Sequence, residues 1–417
     1  MTTIENANAN VNGKGSASVG MQIGLFFFNT VDMPDAGHGG TEPLDRRYGQ
    51  AEVLEHYRDL EVIARAADAH GYDSLWMTEH HFQHEGYEVL PNIILMSAFM
   101  AERTKRIKFG AMFSVVPQWH PLRLAEDYAL ADVMTGGRLL MGVGRGTVPR
   151  ESRALGARMG WNNDSDDQYN RELFEEQMAI IKLAWYNERF SFRGKHYTLP
   201  PDGIDDRGRT VETLTLLPKP LKTPVDIWQP VTSPGTFEYV ARQRHKAVFW
   251  NQNRARLQEG WALYGDLVEK YHGVKLRPGE DRLLVTNVVL GDTEAAAMAL
   301  ARPGHDEFFR FLAPYGRSRS YVDENGKSWE WGRVPTLEDS IAQGAWIVGT
   351  AESVRQQLLQ LKQDLGIEYL VIFPHFPGMV LDQVLDHMAR FTRDVRPHLL
   401  AGPSQAAPAL AGARAAR

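Results

Sequence analysis

Four short stretches of this chain carry residue types suited to chemistry. Glu79-His80-His81-Phe82-Gln83-His84-Glu85 sets three histidines beside two carboxylates. That mixture supports proton transfer, metal ligation or a charged surface cluster. His80 and His84 are four apart, a spacing that aligns two ligands only on a helix. The stretch instead leaves an extended apolar run, and it is not H-E-x-x-H. A catalytic or cofactor contact is therefore preferred, and no metal ligand is assigned.

The second stretch, Met141-Gly142-Val143-Gly144-Arg145-Gly146-Thr147, alternates glycine with other residues. Glycine lets a backbone approach a ligand closely, and arginine suits bidentate phosphate recognition. A dinucleotide fingerprint would continue G-x-x-G into a helix with an acid about twenty residues on. The spacing here differs, and no P-loop lysine follows. The third, Thr232-Ser233-Pro234-Gly235-Thr236, opens a helix. Its hydroxyls could simply cap that helix, or the exposed N–H groups and positive dipole end could hold an anion. The fourth, Gly110-Ala111-Met112-Phe113, precedes Pro117-Gln118-Trp119-His120-Pro121. Met112 and Phe113 fit a core, or support for a flat aromatic ligand.

The elements that must position these residues show a regular rhythm. Apolar runs at Met21–Asn29, Asp73–Thr78, Ile107–Val116, Arg138–Val143, Asp226–Gln229, Ala247–Trp250, Arg282–Leu290 and Tyr369–Phe373 read as eight strands, each followed by a helical pattern. The first is almost uninterrupted, as for a parallel strand buried on both faces. The helical stripes run over 51–69, Pro91–Glu102, Pro121–Met134, Asp167–Trp185, Thr236–Arg244, Arg254–Tyr271, Thr350–Leu365 and Val380–Val395. Eight βα units predict an α/β fold, a (β/α)8 TIM barrel with insertions, ahead of an open doubly wound sheet. In a barrel the stretches above all end strands, where active sites sit. Adjacent fourth and fifth strands bring the Thr232 turn beside Arg145, so the two make one phosphate cradle.

Composition removes other classes. The 417 residues contain no cysteine, which excludes disulfides, thiolate metal sites and a thiol nucleophile, and makes a reducing cytoplasm the default. A net charge of −6 disfavours nucleic acid and anionic membrane. No run reaches the roughly 18–20 apolar residues of a membrane span. Residues 1–20 lack an apolar signal core and, like 400–417, read as flexible tails. A single domain over 21–399 remains, with an aromatic-rich insertion at about 311–348 that is expected to act as a lid.

Over roughly Met21–Leu399 the chain resembles the bacterial luciferase-like flavin-dependent monooxygenases. The resemblance is carried by Tyr72 to Trp76 with Glu79 to Phe82, by His120 to Asp127, by Gly136-Gly137-Arg138 with Gly142 to Gly146, and by Val348-Gly349-Thr350. It implies FMN, as FMNH2, at the barrel's mouth, with O2 as co-substrate and a flavin C4a-(hydro)peroxide as oxidant. It places the catalytic histidine at His80 and a carboxylate near the ring at Glu151. Cofactor contacts fall on Glu79, Met112, Phe113, Arg145, Gly146, Thr147, Thr232, Ser233 and Thr236, with a non-proline cis peptide at Met112-Phe113. It further implies a homodimer and, absent a nicotinamide motif, a separate NAD(P)H:flavin reductase. Met112-Phe113 is bulkier than the pair in luciferase itself, and Gly144 stands in place of a cysteine, so light emission is not implied.

The expected reaction is oxygenation of a small, moderately apolar organic molecule. A peroxide anion attacks carbonyls while the protonated form transfers electrophilic oxygen. A histidine, ordinarily titrating near 6.5, suits control of that proton. Two alternatives share the barrel: a deazaflavin-dependent oxidoreductase, and a metal-dependent hydrolase built on His80, His81, His84 and His375.

Overall fold

The computed structural model describes residues 20–158 and 164–401. The expected tails therefore lie almost wholly outside the described residues. Eight parallel strands close into a barrel: β1 (Gln22–Phe27), β2 (Ser74–Met77), β3 (Lys108–Ala111), β4 (Leu139–Gly144), β5 (Ile227–Pro230), β6 (Lys246–Trp250), β7 (Arg282–Leu290) and β8 (Tyr369–Phe373). Each strand pairs with its sequence neighbour. Closure comes from Leu284 against Leu370 and from Gln22 against Tyr369. All eight are the strands read from the sequence. Helices cover their outer faces, so β1, β2 and β8 are buried along almost their whole length. That burial on both faces is why they carry apolar runs rather than alternation.

Helices α1 (Gln50–Ala69), α2 (Ile93–Ala101), α3 (Pro121–Met134), α4 (Pro149–Ala154), α5 (Asp164–Tyr186), α6 (Pro234–Arg242) and α7 (Arg254–His272) follow the first six strands. Helix α1 shows how the sequence builds them. Leu60, Ile63, Ala64 and Ala67 form one buried stripe. Gly71, at φ +76°, then turns the chain into β2.

Three features depart from the sequence reading. The expected third strand, Ile107–Val116, ends at Ala111, just before the Met112-Phe113 cis peptide; Ser114-Val115 then pairs separately with Val143-Gly144 of β4. Helix α8 (Glu294–Leu312) had no counterpart among the expected helices. Pro303 lies inside it, and an interior proline usually marks a break. The third is Trp346–Gly349, a strand that pairs with Asn287–Leu290, the far half of β7. Helices α9 (Leu337–Ala342), α10 (Ala351–Leu365) and α11 (Leu381–Arg390), the last continuing through a π-helical stretch at Phe391–Val395 into α12 (Arg396–Leu400), complete the outer layer.

The segment 311–348 thus includes the last turn of α8 and most of the Trp346–Gly349 strand. Between them the chain folds back over the mouth, burying Tyr321 and Trp329 while Trp331 stays half exposed. A second small core supports this side. Tyr87 stacks on Phe311 at 4.0 Å, and the buried Glu307 of α8 accepts from Arg46 Nε at 3.0 Å and from the Tyr87 hydroxyl. Arg46 also holds Asp35 at 2.6 Å. The long β1–α1 connection is therefore tied to α8 through a buried charge.

Candidate active site

The loop leaving β2 carries His80 into the mouth of the barrel, where both ring nitrogens meet carboxylates. Nδ1 lies 3.0 and 3.1 Å from the two oxygens of Glu151, and Nε2 lies 3.0 Å from Glu88 Oε1. Glu151 comes from α4, just past the glycine run, and Gln83 Nε2 donates to it at 2.9 Å. Glu88 and Glu151 are both almost fully buried. Burial alone would lower the His80 pKa, but the Glu88 charge and the bond to Glu151 outweigh it and raise the value well above normal. Glu151 is itself buried, yet the His80 bond and charge hold it below the usual carboxylate range. Burial raises Glu88 despite His80. The two carboxylates thus favour the protonated form of His80, with burial acting against ionisation of Glu88 more than of Glu151.

Beside the trio, Glu79 accepts from Trp119 Nε1 at 3.0 Å and leaves its other oxygen buried without a partner. Burial pushes Glu79 up to about 7. His81 keeps an unpartnered buried Nε2 in the same place, 4.0 Å from Glu79 Oε1, and burial lowers its pKa. Glu85 takes no part in this cluster, because Arg150 grips it with two bonds of 2.7 and 2.8 Å.

The wall behind these groups is built from glycine. A Cβ on Gly142 would lie 1.8 Å from the Ala111 carbonyl oxygen and 3.1 Å from the Phe113 ring. One on Gly144 would lie 3.2 Å from Phe113 Cβ. Only glycine lets β4 press this closely against the Met112-Phe113 peptide, whose cis geometry agrees with the sequence expectation.

At the end of β4, Arg145 bonds Asp167 of α5 at 2.9 Å, and Arg171, one turn on, reaches the same carboxylate at 3.4 Å. Arg171 also leans over the first turn of α6, where its Nη1 is 2.8 Å from the position of a Gly235 Cβ. Ser233 is the N-cap of α6, but its hydroxyl pairs with that of Thr236 at 2.9 Å instead of accepting from a backbone N–H. Two guanidinium groups, two hydroxyls and a helix N-terminus without a side-chain cap therefore converge, an arrangement complementary to a phosphate. Gly146, at φ +90°, lies against Val115 and Ser152, while Thr147 and Thr232 are exposed at the rim.

A sequence model of the luciferase-like monooxygenases matches residues 21–369. The chain belongs to that family. As a luciferase-like monooxygenase it is 25% identical over 313 residues to 3,6-diketocamphane 1,6-monooxygenase of Pseudomonas putida, covering 72% of this chain and 81% of that one. It is also 25% identical over 285 residues to the oxygenase component of the flavin-dependent trigonelline monooxygenase of Acinetobacter baylyi, covering 67% and 72%. In fold it is similar to the oxygenating constituent of 3,6-diketocamphane monooxygenase in complex with FMN, with a TM-score of 0.71, 20% identity, and 91% and 98% coverage.

His80 and Glu151, singled out separately in the sequence, are in contact here, whereas Glu88 and Arg171 were not singled out. Glu88 sits in a loop that folds back eight residues after His80, and irregular backbone offers no periodicity to reveal that. Arg171 is four residues after Asp167 on a helix, so its tie to Asp167 was readable; its reach to α6 was not. The histidines of the metal alternative do not converge. His84 faces Glu85 at 3.4 Å and His375 stacks on Phe27, and no group of three ligand-type side chains is gathered for a metal among the described residues.

Proposed function

We propose that this luciferase-like monooxygenase is the oxygenase component of a two-component system, using FMNH2 supplied by a separate NAD(P)H:flavin reductase and O2 to oxygenate a small organic substrate. One observation carries the reading: a glycine-walled slot, a phosphate-complementary helix terminus and a histidine held between two carboxylates share the mouth of one barrel. Bound reduced FMN would supply two electrons, so that one oxygen atom of O2 enters the substrate and the other leaves as water.

The residues present fit that group. Arg145, Arg171, Ser233 and Thr236 would hold its phosphate, with Gly146, Thr147 and Thr232 at the rim. The Met112-Phe113 peptide would back its ring, as only Gly142 and Gly144 permit. Glu79 Oε2 and His81 Nε2 are buried polar atoms lacking partners, a costly state that a ring edge bearing donors and acceptors would relieve. His80 would hold and deliver the proton that governs how the reacting oxygen behaves, with Glu151 fixing the imidazole and Glu88 its charge. Residues of 311–348 would exclude water during turnover. The relatives named as an oxygenase component and as an FMN complex support the same assignment.

A homodimer working in the cytoplasm completes the proposal; among the described residues no helix is long and apolar enough to cross a membrane. Light scattering should give twice the chain mass. The test of function is single-turnover oxidation of FMNH2. Consumption of O2 coupled to product with FMN supports the reading, whereas dehydrogenation supported only by a deazaflavin overturns it.

A further inference from the structure

Arg317 lies in the segment that closes over the mouth, and its guanidinium turns inward rather than toward solvent. It stacks on Trp250, at the end of β6, 4.4 Å from the ring centroid. Gln252 accepts from its Nε at 2.9 Å while donating to Ser320 at 2.7 Å. Among the described residues it forms no ion pair, although nearly every other arginine close to the mouth does. Burial lowers its pKa to about 10, against the opposing influence of Tyr321 and of the Glu88 charge. Glu88 is already bonded to His80, so Arg317 brings an unmatched positive charge to the side of the catalytic trio.

Arg317 lines a recess with Trp250, Asn251, Asn287 and Tyr321, residues that end β6 and β7 or belong to the covering segment. Asn251 is almost fully buried. Its Nδ2 donates to Thr286, but its Oδ1 has no partner. A partly buried cation without an ion-pair partner and a buried acceptor without a donor thus line one recess, and a ligand that pairs with both would be favoured. As it stands the recess holds roughly one water molecule. A larger ligand enters only if the segment carrying Arg317 withdraws and then closes on it.

We propose that this recess is the substrate subsite and that it takes a small planar organic carboxylate, with Arg317 gripping the carboxylate, Trp250 stacking on the ring and Asn251 accepting from an N–H or O–H of the substrate. Guanidinium and carboxylate match as two parallel hydrogen bonds, and a neutral analogue would leave the arginine unpaired. The inference rests on the oxygenation site being at this mouth, but its test needs neither flavin nor oxygen.

The full chain is titrated calorimetrically, without flavin, with benzoate, 4-hydroxybenzoate and phenylacetate and with the corresponding primary amides. Binding of at least one carboxylate tenfold or more tighter than its amide is expected. Arg317→Gln should abolish that preference and Arg317→Lys should retain part of it, while FMN affinity stays unchanged in both. Amides binding as well as the acids, failure of all three acids to bind, or a preference surviving in Arg317→Gln would overturn the proposal. Failure of the FMN reading would show instead as absent FMN binding by the wild-type chain.

Discussion

His80 has a carboxylate at each ring nitrogen, and this fixes both its orientation and its charge. Loss of the imidazole by His80→Ala should lower kcat by about 10²–10⁴-fold, the usual contribution of a positioned acid or base; an unchanged pH profile and product yield would remove it from the mechanism. Glu88→Gln is the sharper variant. With the Glu88 charge gone, His80 should lose its proton at lower pH, so the alkaline limb of the activity profile should move toward neutrality. A limb that stays in place would show that Glu88 does not set the charge. The same pKa shifts affect folding with opposite signs. The raised His80 contributes stability that is complete below the ordinary histidine range and is lost as pH rises through its folded value; the lowered Glu151 contributes above the ordinary carboxylate range and is lost as pH falls. Residue identity made His80 and Glu151 legible from sequence, because both match family motifs. Glu88 was not, because only the fold of an irregular loop returns it to Nε2.

At the scale of elements, two strand ends and two helices shape the proposed cofactor slot. Arg145→Ala and Arg171→Ala should each weaken FMN binding by about 1.5–3 kcal/mol, the range for hydrogen bonds to a charged group, as read by flavin fluorescence titration. An effect confined to one arginine would show that the other serves only Asp167. Gly142→Ala puts a methyl against the Ala111 carbonyl and has no room to relax, so it should cost at least about 1–3 kcal/mol of stability. Away from the site, Arg46→Ala would leave the buried Glu307 carboxylate with Arg310 at 3.6 Å as its remaining charged partner and should cost about 3–5 kcal/mol in denaturant unfolding. All eight barrel strands were readable because burial on both faces forces apolar runs. Helix α8 was not, because Pro303 resembles a stop although the surrounding contacts carry the helix through it. The Trp346–Gly349 strand was hidden for a different reason: it is four residues long and borrows its partner from the far half of β7.

For the whole molecule, the proposed division of labour puts the electron source outside the chain, in FMNH2 delivered by a separate reductase. Purified protein with NADH and FMN but no reductase should therefore show no sustained turnover above the uncatalysed rate, and adding a flavin reductase should restore it. Steady NADH oxidation by the chain alone would contradict that division of labour. The central claim is that FMNH2 and O2 together oxygenate a substrate here. The most direct test is a single turnover with FMNH2 and ¹⁸O2 over small planar carboxylates and their neutral analogues, followed by mass spectrometry. One product carrying one ¹⁸O atom per FMNH2 consumed is expected, and it should be lost in His80→Ala. FMNH2 oxidised no faster than in free solution, with no ¹⁸O in any product, would contradict it.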